Sequence, residues 1–478
     1  MSREVFINAI PGETRLAVTE DGKLVDLVFA RAHENSILGN IYLGRIEKVI
    51  FGMNAAFIDI GLPASGFLAA VDGQIFDRDR EKPKPIGELF KEGDSVVIQV
   101  TREASEGKGA KLTTRLNLTG RNVVVTPDRP GISVSKSISN QVERERLEAA
   151  LQQYAHSSLG LIVRTRAQMV SAEDLQREAE FLTGTYLDIE ASQKTMKPPA
   201  CVYEEADAVS KYLKDRGDSD WQKIVVDDRA ILDKLLKFCA DTMPELATLF
   251  ELAEDQAALF ETHDLEEQIE DLFQLQAALP SGGYLIIEET AALVAIDVDS
   301  GAHIRDRDPE ALAMAVNEEA AIEAARQIHL RNLSGQIVVD FLPLKRRDSR
   351  DKIQYVLSAA LAEDTTKSNI FGFSRLGLME MTRQRNGESL AARFISKNQP
   401  ARSIQSVAID MIRAVLRELD RNPGKVLTVQ CGARLHVALT GEMQATWQSL
   451  LDRTGPVVVL EKRTALAGAE FDINTTKN

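Results

Sequence analysis

The sequence predicts a multidomain chain of mixed α/β and all-β character, with a small closed barrel upstream of a strand–helix–strand unit. Three observations predict it. At 478 residues the chain is too long for one ordinary core, so about three or more domains are expected. Between residues 37 and 118, short strand-like runs recur at 40–50, 55–60, 66–70 and 95–101, separated by Gly, Pro or charged turns. Five or so strands in so short a stretch suggest a barrel of the OB type. Between 293 and 340, two apolar runs, Leu293-Val294-Ala295-Ile296 and Gln336-Ile337-Val338-Val339, each end on an aspartate, Asp297 and Asp340.

In chain order, residues 1 to about 35 alternate as strands around the turn Glu20-Asp21-Gly22-Lys23. Such a hairpin is not stable alone and needs a sheet formed later in the chain. In the barrel, Phe57 and Phe67 fall on successive strands, where exposed aromatics would stack on bases. Lys108 and Lys111, in the loop Glu106-Gly107-Lys108-Gly109-Ala110-Lys111, would meet phosphates. Residues 119–200 mix strands at 122–126 and 160–164 with helices at 140–154 and 171–187. The second helix opens on Ser171-Ala172-Glu173-Asp174, a cap with an acidic first turn. The strand Leu161-Ile162-Val163 delivers Arg164-Thr165-Arg166 to its end, where a guanidinium beside a hydroxyl suits a phosphate.

Pro198-Pro199 marks a boundary, followed by helix, strand and helix at 206–215, 223–227 and 229–242. An acidic helical stretch is expected over 265–279, then Pro280-Ser281-Gly282-Gly283 and a hairpin at 284–288 and 292–296. The helix between the two aspartate strands is expected to start at Asp308-Pro309. Its apolar face would be Ala311, Leu312, Ala315, Ile322, Ala325 and Ile328. A crossover of this kind returns parallel to its starting strand and puts both aspartates at carboxyl ends of neighbouring strands. Two carboxylates there suit a hard cation such as magnesium. A helix at 347–363, strand-like 368–373 and a linker at Asn398-Gln399-Pro400-Ala401 follow. The chain then closes with a helix at 403–420 and extended runs at 426–429, 436–439 and 457–462.

Composition narrows the function. With 44% hydrophobic and 27% charged residues the chain is that of a soluble globular protein, and no apolar run is long enough to span a bilayer. No secretory signal opens the sequence, so a cytoplasmic location is expected. Cys201, Cys239 and Cys431 are too scattered for a disulfide framework or a zinc site of close cysteine pairs. The net charge of −15 opposes nucleic-acid binding as a total. However, no Lys or Arg lies between Lys237 and Arg305, so basic residues collect elsewhere, at 102–115, 164–166, 345–350 and 375–385.

Several ordered motifs resemble the ribonuclease E/G family. They are Leu279-Pro280-Ser281-Gly282-Gly283, Ala295-Ile296-Asp297-Val298-Asp299-Ser300-Gly301, Asn317-Glu318-Glu319-Ala320-Ala321, Ile337-Val338-Val339-Asp340-Phe341 and Gly377-Leu378-Met379-Glu380-Met381-Thr382-Arg383-Gln384-Arg385. Upstream, Ala55-Ala56-Phe57-Ile58-Asp59-Ile60-Gly61 with Gly66-Phe67-Leu68 is similar to the family's S1-type OB domain. Gly160-Leu161-Ile162-Val163-Arg164-Thr165 is similar to its 5′-monophosphate pocket. The resemblance implies a ribonuclease H-like subdomain (1–36 and 201–279) into which an S1-type OB domain (37–118) and a 5′-sensor region (119–200) are inserted. A DNase I-like catalytic subdomain (280–397) and a small C-terminal α/β domain (398–478) follow.

The same resemblance implies a magnesium-dependent endoribonuclease that cuts single-stranded RNA to 5′-phosphate and 3′-hydroxyl ends and favours 5′-monophosphorylated substrates. Asp297 and Asp340 would be the catalytic metal ligands, with Asp299 a third contact. Phe57, Phe67 and Lys108 would bind RNA, and Arg164 and Thr165 the 5′-phosphate. Four departures stand out. Asp299 replaces the usual Asn, and Pro343 an acid. Lys136-Ser137 stands for a pair of arginines. No cysteine occupies 389–406, where the family carries its CPxCxG link, so structural zinc is not expected and any homodimer would lack that staple. No disordered scaffold tail for partner enzymes is expected. The rival reading is a catalytically weak RNA-binding or rRNA-maturation factor of the same fold.

Overall fold

In the computed structural model, the N-terminal strands find the later partner they need. Arg3–Ile10, Glu13–Glu20 and Lys23–Arg31 form an antiparallel meander, and Arg3–Ile10 pairs in parallel with Trp221–Val226. The structure describes residues 2–32, 36–74, 84–104, 108–127, 129–155, 159–217, 220–255, 258–301, 309–395 and 402–476. The expected cap at Asp308, the loop positions Glu106 and Gly107 and the linker 398–401 lie outside them. Contacts divide the chain into two compact units. One comprises Met1–His33, Asp220–Arg229 and Glu251–Asn478, and the other Glu34–Ser219 and Ala230–Phe250. Among the described residues no helix is long and apolar enough to cross a membrane.

The second unit holds a closed five-stranded barrel of Ile41–Ile50, Ala55–Asp59, Gly66–Ala69, Lys111–Thr113 and Ser95–Arg102. Pairing of Ile41–Arg45 with Ser95–Gln99 closes the ring. Ile46, Ile58, Leu68, Ile98 and Leu112 fill its interior. Two strands of this sheet escaped the sequence reading. Lys111–Thr113 is the fifth barrel strand, where a loop was expected, and Ala200–Tyr203 pairs with Ile41–Leu43 outside the ring. Both are short and gain their hydrogen bonds only from distant partners. The same unit carries a four-stranded sheet ordered Gly131–Val134, Gly160–Val163, Val123–Thr126, Leu118–Thr119. The helices Gln141–Leu151 and Ala172–Thr195 pack on it. Ser171 Oγ accepts from Asp174 N at 3.1 Å, the expected cap, but the helix runs on past 187 to Thr195.

In the first unit a six-stranded mixed sheet runs in the order Gln276–Ala278, Tyr284–Glu289, Val294–Asp299, Gly335–Asp340, Met379–Arg383, Ser368–Phe373. Val294–Asp299 and Gly335–Asp340 are parallel, and the other neighbours antiparallel. Helices Pro309–Leu330 and Arg347–Ala360 supply the residues that cover one face of this sheet, with Ile296, Val298, Ile337, Val339, Ile353 and Leu357 in the shared core.

Three expectations need correction. Residues 265–279 are helical only over Leu265–Asp271, because Gln276–Ala278 turns back across Pro280–Gly283 to pair with Tyr284–Ile286. The buried stripe of Pro309–Leu330 is Ala313, Val316, Ala320, Ala321, Ala324, Ala325 and Ile328, while Ile322 is 56% exposed. An alanine-rich helix offers apolar residues on several faces, and only packing selects one; Lys23 bonding Glu323 and Arg326 bonding the Leu24 carbonyl anchor another. Residues 436–439 belong to a helix, Ala433–Thr440, whose buried Leu435, Ala438 and Leu439 follow helical spacing. That helix joins Ile404–Arg421 around a small sheet of Val458–Lys462, Val426–Cys431 and Phe471–Thr476.

Candidate active site and RNA-contact residues

Strand alternation builds the candidate active site. Val294, Ile296 and Val298 point into the core, so Ala295, Asp297 and Asp299 point to the opposite face. Ile337 and Val339 do the same for Val338 and Asp340. Asp297 and Asp340 are register partners across the parallel pair, which sets their Cα atoms about 4.8 Å apart. Both are exposed, and neither carboxylate has a hydrogen bond or ion pair among the described residues.

Asp299 shares their face but is occupied. Its Oδ2 accepts from Tyr284 OH at 2.9 Å and its Oδ1 from Gly301 N at 2.8 Å. These two bonds, the backbone one first, hold its pKa below the usual carboxylate value, and the hydrogen bond from Tyr284, then the charge of Asp299, raises that of Tyr284. Among the described residues no group of three or more His, Cys, Asp or Glu side chains is placed to hold a metal. Among the described residues Asp297 and Asp340 are thus a pair of carboxylates on this face without partners. That is what magnesium takes, filling its remaining positions with water and substrate phosphate.

The motifs around the aspartates do positional work that sequence reasoning did not assign. A Cβ on Gly283 would lie 2.4 Å from the Asp299 carbonyl oxygen, and one on Gly301 2.4 Å from that of Gly282. The Ser281–Gly283 turn is thus locked against the end of the aspartate strand. Glu319 fixes the same turn by accepting from Ser281 N at 2.8 Å. Asn317, fully buried, bonds both backbone groups of Leu342 (2.9 Å each) and holds the chain just past Asp340. An Asn inside a long helix is unfavourable by propensity, and that was the legible signal.

In the barrel, Phe57 and Phe67 are also register partners, half-buried, with ring centroids 5.9 Å apart at 67°. Lys111 pairs with Asp72 at 2.9 Å, while exposed Lys108 has no ion partner among the described residues. In the four-stranded sheet region, Arg164 Nη1 donates to the Gly120 carbonyl (2.8 Å) and to Asp215 (3.2 Å). Its Nε and Nη2 have no partner among the described residues, leaving the bidentate edge open. Thr165 Oγ1 lies 2.8 Å from Ser135 Oγ, and Arg144 holds the Ser135 carbonyl at 2.7 Å. Arg164 is further placed by Gly120, which sits over buried Glu178; that carboxylate accepts from Asn122 N and Nδ2, and burial raises its pKa.

Comparison with known proteins accords with this assembly of parts. The profile described as the Ribonuclease E/G family matches residues 117–386. The chain is 32% identical to Ribonuclease G of Salmonella typhimurium (strain SL1344) and 31% to Ribonuclease G of Escherichia coli (strain K12), over 99% of both chains in each case. It is 33% identical to Ribonuclease E of Nostoc sp. (strain PCC 7120), covering 79% of this chain and 55% of that protein. The chain belongs to the ribonuclease E/G family.

Proposed function

We propose that this chain is a magnesium-dependent endoribonuclease of single-stranded RNA, with Asp297 and Asp340 as the metal ligands. The observation that carries the reading is the pair of exposed, register-matched carboxylates, neither with a hydrogen bond or ion pair among the described residues. Its support from kinship is relatives named Ribonuclease G and Ribonuclease E. Magnesium bound there would activate water and stabilise charge on the scissile phosphate, leaving 5′-phosphate and 3′-hydroxyl products. Asp299 orients the turn at the strand end through Gly301 and Tyr284. Phe57 and Phe67 stack on unpaired bases, and Lys108 meets the backbone. The free edge of Arg164 with the Thr165 hydroxyl grips a 5′-monophosphate, so RNAs cut once before are preferred. RNA processing and decay in the cytoplasm is the setting this activity suits.

The test is an AU-rich single strand, 5′-monophosphorylated or 5′-hydroxylated, incubated with magnesium and the parent chain, Asp297→Asn or Asp340→Asn. Cleavage by the parent alone is expected. Tight binding without cleavage at every magnesium concentration points instead to an RNA-binding factor. Arg164→Ala should lower activity on monophosphorylated RNA only; an equal loss on hydroxyl-ended RNA removes the sensor role.

A further inference from the structure

The open face that carries Asp297 and Asp340 has a second, chemically opposite end. Gln336 lies on the same side of its strand as Asp340, four residues earlier and therefore about 13 Å away. Thr382 and Asn369 are its successive cross-strand neighbours, so the three form one polar row over the sheet. Lys367 and Arg385 flank the row, and the five side chains line an open groove of about 390 Å³. Both cations are exposed, and neither has an ion pair among the described residues. Gln336, Asn369 and Thr382 likewise make no side-chain hydrogen bonds there. The adjacent Arg383 shows the contrast: it is buried and spent on Asp364 at 2.6 Å. Gly335 lets the Arg385 guanidinium lie flat against the strand, 3.2 Å from where a Cβ would stand. Phe371, on the same edge strand as Asn369, is 68% exposed.

We propose that this groove is a subsite for the backbone of single-stranded RNA, a few nucleotides from the bond that is cut. The proposal rests on the reading of Asp297 and Asp340 as the catalytic pair. Two unneutralised cations supply phosphate affinity, and the amide and hydroxyl row offers donors and acceptors to ribose and base edges. An exposed aromatic beside them favours a nucleic acid, whose bases stack, over an acidic peptide. Glu380, exposed in the row between Gln336 and Asp340, bounds the cationic groove on the catalytic side. The groove and the carboxylates thus set a direction for the strand across the sheet.

The experiment uses the full chain and its Lys367→Ala/Arg385→Ala variant. Single strands are extended stepwise on either side of one cut site. For the parent, kcat/KM should rise about tenfold once extension on one side reaches the groove, and the variant should lose that gain while cutting the shortest RNA as the parent does. In a separate readout without divalent metal, the slope of log affinity against log salt should shrink by about 1.4 for two lost phosphate contacts on a single strand. An unchanged slope, a loss equal at all lengths, or weakened binding of polyglutamate with RNA binding intact overturns the subsite. A parent that cuts nothing while the slope still falls removes the cleavage reading and keeps the groove.

Discussion

Two acidic centres in the same unit show how environment divides carboxylates between exposed, unpaired groups and buried, paired ones. Asp297 and Asp340 stand side by side, exposed, with no ion pair or hydrogen bond among the described residues. Asp364 is buried, accepts from Arg383 at 2.6 Å and from Thr366 N at 2.9 Å, and faces His329 Nδ1 at 3.4 Å. Burial alone would raise its pKa, but His329 and then Arg383 hold it well below the usual carboxylate range. At 3.4 Å the His329 Nδ1 contact is an ion pair without hydrogen-bond geometry. Burial likewise disfavours charge on His329, yet Asp26 at 3.1 Å and Asp364 together raise it to about 9. One centre is already satisfied by protein cations, and the other has no protein cation paired with it among the described residues.

The contrast breaks most easily by substitution. Asp297→Asn should cost activity by about 10³-fold or more. It should also raise stability slightly, since like charges facing each other across strands cost roughly 0.2–1 kcal/mol. Cleavage assays and urea denaturation on one preparation check both, and a marked destabilisation would place Asp297 among the structural carboxylates. Asp364→Asn should do the reverse and cost about 3–5 kcal/mol, because it leaves Arg383 buried without its partner. A urea midpoint close to the parent's would sink that assignment.

Asn317→Ala should lie between the two. It strips both backbone groups of Leu342 of their partner, costing about 1–3 kcal/mol, and it lowers kcat by loosening the chain after Asp340. Equal loss of stability with kcat untouched would confine Asn317 to the fold.

The pH dependence sharpens the comparison further. Because the folded pKa of His329 is raised, to about 9 from the ordinary 6.5, its contribution is complete below about pH 6.5 and is lost as pH rises through 9. That contribution is on the order of 3 kcal/mol at most. Denaturation at pH 6.5 and 9.5 should show the fall, and His329→Gln should flatten it; an unchanged slope in the variant would assign the effect elsewhere. The smallest effect is expected at Asp299→Asn. An amide keeps the acceptor for Gly301 N and can still bond Tyr284, so activity should stay within about threefold of the parent. A loss as large as that of Asp297→Asn would make Asp299 a ligand after all.

Much of the site was legible because it is written in local pattern. The apolar runs that lead into Asp297 and Asp340 were legible as strands, and they place Ile296 and Val339 in the core with both aspartates exposed. The two phenylalanines of the barrel were readable in the same way. The partners of the supporting residues were not. Asn317, Glu319 and Gly283 act on backbone groups of other segments, and nothing in their own neighbourhood identifies those partners. The groove at Gln336, Thr382 and Asn369 was equally hidden, since three unremarkable polar residues from three strands become a site only when register aligns them. Lys108 and Lys111 looked alike in sequence, and only packing spent one of them on Asp72.

By itself the sequence determined the kinds of element, 276–278 and 436–439 excepted, and the chemistry each could carry. Hydrophobic period and turn residues act over a few positions, and the ordered motifs of the ribonuclease E/G family lie along the chain in plain order. Tertiary structure decided which polar groups remain free. A carboxylate or guanidinium becomes structural or reactive according to whether a distant segment brings it a partner. Asp364 and Arg383 were given to each other, while Asp297, Asp340, Lys367 and Arg385 were left exposed on one open sheet face.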